Sequence, residues 1–304
     1  MAVSLCVTAI PFYIHLEEKR MITLKNEFIT VDIAERGAEM QSIRKNDGAE
    51  YLWQGNPEIW GGRAPLMFPI CGGLKDDKYI LDGKEYTINK HGYGRFCTFE
   101  VEELTDTTAT FLLRSDEESK ACFPFDYELR LIYTLKGSGV ELNYKLINLS
   151  DRTMYFSIGS HEGYSTPDGI ENYDVIFPQN ETLYTTHLDG SLIEDNKMII
   201  IKDCDRIPLY DKYFIVDALV FKDLKSKSAT LRNRKTGRAI KVEFPGADYF
   251  LLWHPHGAPF ICMEPWSGIG DGVYSNYDIT KKEGIITLEA GNTFERAHTI
   301  TILE

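Results

Sequence analysis

No two of the six cysteines (Cys6, Cys71, Cys97, Cys122, Cys204 and Cys262) stand close enough to form a C-x-x-C unit. That removes the commonest zinc-ribbon and dithiol redox patterns. Spread this thinly, the cysteines read as reduced packing residues of a cytoplasmic protein. Basic charge is also scarce, with 33 Lys and Arg against 46 Asp and Glu and a net charge of −13. Nucleic acid and anionic membranes both require a basic surface, so neither is expected as a partner. A few arginines in a cleft would still suffice to hold one phosphate. Low-complexity linkers, strong charge blocks and clear repeats are missing, and no stretch of twelve or more residues keeps a convincing 3.6-residue period. Residues 206–224 are the best helical candidate, and Pro208 weakens it.

The N-terminus lacks what a targeting segment needs. Residues 2–16 carry no charged side chain, yet no basic region precedes them and no small-residue cleavage site follows. The stretch is too short to cross a membrane. Glu17-Glu18-Lys19-Arg20 before Met21 would be encoded by purine-rich codons, as a translated ribosome-binding site is. Residues 1–20 are therefore expected to be an extension ahead of a natural start at Met21. An additional N-terminal strand is the alternative.

Period-2 alternation dominates the rest. Tyr127, Leu129, Leu131 and Tyr133 face one way and Glu128, Arg130 and Thr134 the other. After Lys136-Gly137-Ser138-Gly139 the pattern resumes with Val140, Leu142, Tyr144 and Leu146. This predicts a long hairpin. A second is expected over residues 229–244, turning at Lys235-Thr236-Gly237, and a third over 285–302, turning at Ala290-Gly291-Asn292. Asp47-Gly48, Asp82-Gly83, Asp168-Gly169 and Asp189-Gly190 mark further turns. Apolar residues make up 43% of the 304, enough to bury a sizeable core. The expectation is one all-β domain over 21–304, with antiparallel sheets packed as a sandwich.

Four stretches break the alternation and gather polar groups with Gly, Pro and aromatics. They are residues 61–74 (GGRAPLMFPICGGL), 91–95 (HGYGR), 159–167 (GSHEGYSTP) and 260–272 (FICMEPWSGIGDG). An imidazole such as His161 titrates near neutrality and can lend and retrieve a proton; it can equally be a capping or buried structural histidine. Glu264 follows the apolar run Phe260-Ile261-Cys262-Met263. A carboxylate so placed should have a raised pKa and serve as a general base, unless it is a strand-end partner of an arginine. His254 and His256 flank Pro255 with metal-like spacing, but no third ligand is evident nearby.

The ordered set Arg63, Pro65-Leu66-Met67-Phe68-Pro69, Lys90-His91-Gly92, His161, Trp253 and Glu264-Pro265-Trp266 resembles the aldose 1-epimerase (galactose mutarotase-like) family, and within it the LacX-type branch. The resemblance runs from about Met21 to Glu304. It implies a large antiparallel β-supersandwich with little helix and a cleft across one sheet. It also implies roles: Glu264 as general base, His161 as general acid, and Arg63, His91 and Asp217 as substrate-binding residues. Glu162-Gly163-Tyr164 after the histidine departs from the asparagine-rich, aromatic sequence of galactose mutarotases, so galactose itself is not implied.

The reaction so implied opens a hexose ring by acid–base catalysis and recloses it as the other anomer. No metal or redox cofactor is expected, and the partner is a small sugar. The implied separation of His161 and Glu264 is about one sugar ring, roughly 5–8 Å, so that each reaches its own oxygen. Arg63, Lys75, Lys90 and Arg95 lie in or beside the predicted cleft loops and could hold a phosphate, which makes a hexose-6-phosphate 1-epimerase the alternative within enzymes. A non-catalytic carbohydrate-binding or sensing module on the same scaffold is the alternative outside them. A glycoside hydrolase would need two carboxylates, and only one is well placed. Nothing in the sequence fixes the oligomeric state.

Overall fold

The computed structural model describes residues 20–215 and 217–303. The expected extension, apart from Arg20, lies outside them, as does Cys6. Among the described residues, nine antiparallel strands form the largest sheet, and a six-stranded sheet packs against it. One continuous apolar core joins the two, drawing Leu131, Tyr144 and Leu146 from the larger sheet and Leu252, Ile261 and Met263 from the smaller. This is the expected antiparallel sandwich. Full burial of a Leu or Phe side chain stabilises by about 1.5–3 kcal/mol. An outward-facing pair such as Arg130 with Glu102 (2.6 Å) is worth roughly a tenth to a third of that.

The first two hairpins form as the alternation predicts. Tyr127–Lys136 pairs with Gly139–Asn148, setting Leu129 opposite Leu146 and Leu131 opposite Tyr144. Ser228–Asn233 pairs with Ala239–Glu243. The third does not close on itself. Ile286–Leu288 pairs with Met154–Phe156, while Thr293–Leu303 enters the large sheet between Gly139–Asn148 and Ala239–Glu243. Residues on both sides of Gly291 follow the alternation, which does not say which partner each strand will find.

The helix considered over 206–224 is absent. Met198–Pro208 is a strand, Asp211–Phe214 one 3-10 turn, and Leu219–Phe221 a strand of the smaller sheet. The α-helix among the described residues is Glu117–Cys122, started by a reciprocal cap in which Asp116 accepts from the Ser119 N–H and the Ser119 hydroxyl accepts from the Asp116 N–H. No helix of the described residues is long and apolar enough to cross a membrane.

Candidate active site

The smaller sheet has strand order Leu219–Phe221, Tyr249–Trp253, Phe260–Ser267, Ile158–Ser160, Leu66–Met67, with Gly163–Ser165 also on Phe260–Ser267. Side chains alternate across it. Ile261 and Met263 point into the sandwich core. Phe260, Cys262 and Trp266 join separate clusters on the opposite face, and Glu264 lies on that face with them. Above it opens a cavity of about 330 Å³, within the range of small-molecule sites.

Sheet register brings the two candidate proton carriers together. Gly159 pairs with Trp266 on one side of the break in the strand, and Gly163 with Cys262 on the other. Both pairings keep one register, so His161 stands directly across from Glu264. His161 Nε2 lies 3.6 Å from Glu264 Oε2, without a hydrogen bond to that oxygen. The expected sugar-ring separation of 5–8 Å is therefore too long. Cross-strand neighbours have Cβ atoms only about 4.5–5.5 Å apart, and two side chains on one face then converge.

Burial dominates the electrostatics. It pushes the Glu264 carboxyl well above its ordinary range, the neighbouring Glu162 charge adds to this, and Lys90 opposes it. Burial lowers His161 to about 3, and the Lys90 charge acts in the same direction. The acid is thus held protonated and the imidazole neutral. Trp60 lies 5.0 Å from the His161 ring, and Trp253 meets it edge-on at 5.3 Å; these indoles exclude water from the pair.

His91 also lines the cavity, its ring 5.6 Å from that of His161. Its backbone is left-handed at φ 67°, and the next residue must be glycine: a Cβ on Gly92 would sit 2.2 Å from the Phe68 carbonyl oxygen. His91 Nδ1 accepts from the Gly72 N–H at 3.1 Å. Burial first, then His161, pushes its pKa well down, so the neutral ring carries its proton on Nε2 as a donor. Asp217, at φ 87°, lines the cavity on the far side.

Other sequence candidates lie elsewhere. The Arg63 guanidinium donates to Gln41 Oε1 at 2.7 Å and does not line the cavity. Lys75 turns to the Ser275 carbonyl and the Tyr277 ring. Lys90 and Arg95 do line the cavity. His254 is buried with both ring nitrogens committed, Nδ1 to the Phe260 carbonyl (2.7 Å) and Nε2 to Asp211 (2.8 Å), and His256 pairs with the same carboxylate. Through the shared Asp211 carboxylate this histidine pair anchors a loop. Among the described residues, His161, Cys262 and Glu264 form a trio that could hold a metal. Sequence reasoning missed Trp60, isolated before the glycines, and Cys262. It also missed Glu162, whose carboxylate points into the core, accepting from Ser160 Oγ (2.7 Å) and meeting His298 Nε2 (3.0 Å).

A two-sheet sandwich with an aromatic cleft over one sheet defines a galactose mutarotase-like protein. The chain belongs to the aldose 1-epimerase family, whose profile matches residues 20–300. It is 32% identical to the plasmid-encoded protein LacX of Lactococcus lactis subsp. lactis over 296 residues, covering 93% of this chain and 99% of the relative. A galactose mutarotase related enzyme from Lactobacillus acidophilus superposes with a TM-score of 0.90 at 33% identity, over 94% of this chain and 98% of that one. A galactose mutarotase-like protein from Lactobacillus casei ATCC 334 gives 0.89 at 29%, over 93% and 100%. Family and fold together support a mutarotase-like role acting on a sugar, and an enzyme of isomerase type.

Proposed function

We propose that this protein is an aldose 1-epimerase that interconverts the α and β anomers of a hexose. The observation that carries the reading is the His161–Glu264 pair, 3.6 Å apart on the floor of the cavity. O1 and O5 of a pyranose are both bonded to C1, so the two groups need only span one carbon atom, and the short separation suits them. Together the pair holds one proton. Burial keeps that proton on Glu264 at rest; its shift to His161 across the 3.6 Å gap frees the carboxylate to take the O1 proton while the imidazolium protonates O5. The ring opens, C1 turns about C1–C2, and closure from the other face reverses the roles. Each group contributes on the order of 10²–10⁴-fold. His91 offers its Nε2–H to a sugar oxygen, Asp217 accepts from hydroxyls, and the indoles provide apolar faces. A pure binding module needs no such pair.

The test is polarimetry or exchange NMR on a panel of free aldoses. Glu264→Gln and His161→Asn should each lower anomerisation by at least ~10²-fold with sugar binding largely kept. A wild-type rate in Glu264→Gln refutes the carboxylate's role and favours the binding module.

One observation supports a phosphorylated hexose as the sugar. Lys90 and Arg95 line the cavity, and Arg36 joins Arg95 in an adjoining hollow past Trp60 and Pro65. In this acidic protein, among the described residues, neither Lys90 nor Arg36 has an ion-pair partner, and Arg95 Nε is buried without a hydrogen bond. Glu39 also lines that hollow and acts on Arg95, which donates to the Lys90 carbonyl; Lys90 and Arg36, without ion-pair partners, suit an anion. Lys90→Ala with Arg95→Ala should then raise KM for hexose 6-phosphates at least tenfold more than for free hexoses; equal effects on both would exclude a phosphate subsite.

A further inference from the structure

Cys262 has no part in the acid–base reaction, yet the pleat places it beside the pair. It precedes Glu264 by two residues on the same face of the same strand, across from Gly163. One ligand atom each from His161, Cys262 and Glu264 lies within 4.8 Å of the others. Cys262 and Glu264 are fully buried, and His161 Nδ1 and Glu264 Oε2 have no hydrogen-bond partner. Tetrahedral zinc sites, with bonds of about 2.0–2.3 Å, bring their donor atoms to roughly 3.4–3.8 Å from one another. The His161–Glu264 contact of 3.6 Å already meets that spacing, and side-chain rotation within the cluster can bring in the sulfur.

The geometry points to an inhibitory metal site, in which a thiophilic divalent cation such as Zn²⁺ binds His161, Cys262 and Glu264 and so removes both proton carriers from the reaction. A nitrogen, a thiolate sulfur and a carboxylate oxygen form a ligand set that zinc accepts and magnesium does not. The thiolate and the carboxylate together cancel the cation's charge, so the loaded site carries no net charge. The thiol proton and the proton held on Glu264 both leave to solvent as the metal binds. Metal binding itself stands on the three ligands; its effect on rate rests on the proposed acid–base reading.

The experiment uses the full chain, stripped with EDTA. Zinc is titrated against a chromophoric zinc chelator, Co²⁺ is added to read the thiolate-to-metal absorption band, and anomerisation is followed in parallel by polarimetry. The expected result is one tight equivalent of zinc and a cobalt–thiolate band. The rate should fall in proportion to occupancy, be restored by EDTA, and be unaffected by Mg²⁺. Cys262→Ser should abolish the band and weaken zinc binding at least tenfold, and His161→Asn should weaken it by a similar factor, so the test survives if one variant fails to fold. Zinc binding that is unchanged in either variant, or absent below millimolar zinc, overturns the site. Tight zinc binding with a cobalt–thiolate band, in a protein that anomerises no sugar when freed of metal, leaves the site standing and refutes the function.

Discussion

Replacing Glu264 by glutamine should make the protein more stable, and increasingly so as pH rises. Burial holds the folded-state carboxyl well above its ordinary value, while in the unfolded chain it titrates near 4.3. A raised folded-state pKa gives stability that is fully present below the unfolded value and is lost as pH climbs through the folded one. Inside that window the wild type loses about 1.4 kcal/mol per pH unit at this site, a loss the amide does not share. That slope is a ceiling, so between about pH 5 and pH 7 the variant should gain at most about 3 kcal/mol on the wild type, or roughly 5 °C in Tm. His91 and His161 are pushed down instead. Both proteins therefore lose stability as pH falls below about 6.5, and that loss cancels in the difference. Thermal melts of the two proteins at several pH values, checked by urea unfolding, measure it. A stability difference that does not change with pH would mean Glu264 titrates as a solvated carboxylate, and the burial reasoning would fail.

Three further outcomes are expected. Anomerisation should stay nearly constant from about pH 5 to neutrality, because a second proton reaches the pair only near the His161 value of about 3; a rate that halves near 6.5, the ordinary histidine value, would contradict this. Glu162→Ala leaves His298 Nε2 buried without its partner, which should cost about 1–3 kcal/mol in urea unfolding; a cost below about 0.5 kcal/mol would show that the contact does not hold the core together. Gly159→Ala would set a Cβ 2.7 Å from Trp266 Cδ1, so overpacking should cost about 1–3 kcal/mol and move the indole, read as a higher KM for sugar.

The two hairpins were legible because one face of each strand meets solvent: Glu128 and Arg130 interleave with Leu129 and Leu131. The strand that carries Glu264 was harder to recognise, since every residue from Phe260 to Ser267 is buried and the alternation disappears where both faces are covered. His161 and Glu264 could be named individually, but their contact depends on sheet register, which separation along the chain does not reveal. The same limit applies to Thr293–Leu303, whose partners come from two other hairpins. Residues 206–224 mix polar and apolar positions without a dominant period, and there tertiary pairing overrides local preference. Arg63 lies in the motif-bearing stretch, yet its side chain is claimed by Gln41, a neighbour the sequence does not reveal.

The opposition of His161 and Glu162 across one pleat bears on how such an enzyme can change. A single-residue insertion or deletion between Gly159 and Gly163 would exchange the two side chains, sending the imidazole into the core and a second carboxylate into the cleft opposite Glu264. Two facing carboxylates are the equipment of glycosidic-bond hydrolysis. The loops that surround the cavity can lengthen or shorten with little effect on the pair, whereas one codon gained or lost at this strand would replace the proposed proton-shuttling pair with a dicarboxylate one and bury an imidazole where Glu162 now meets His298.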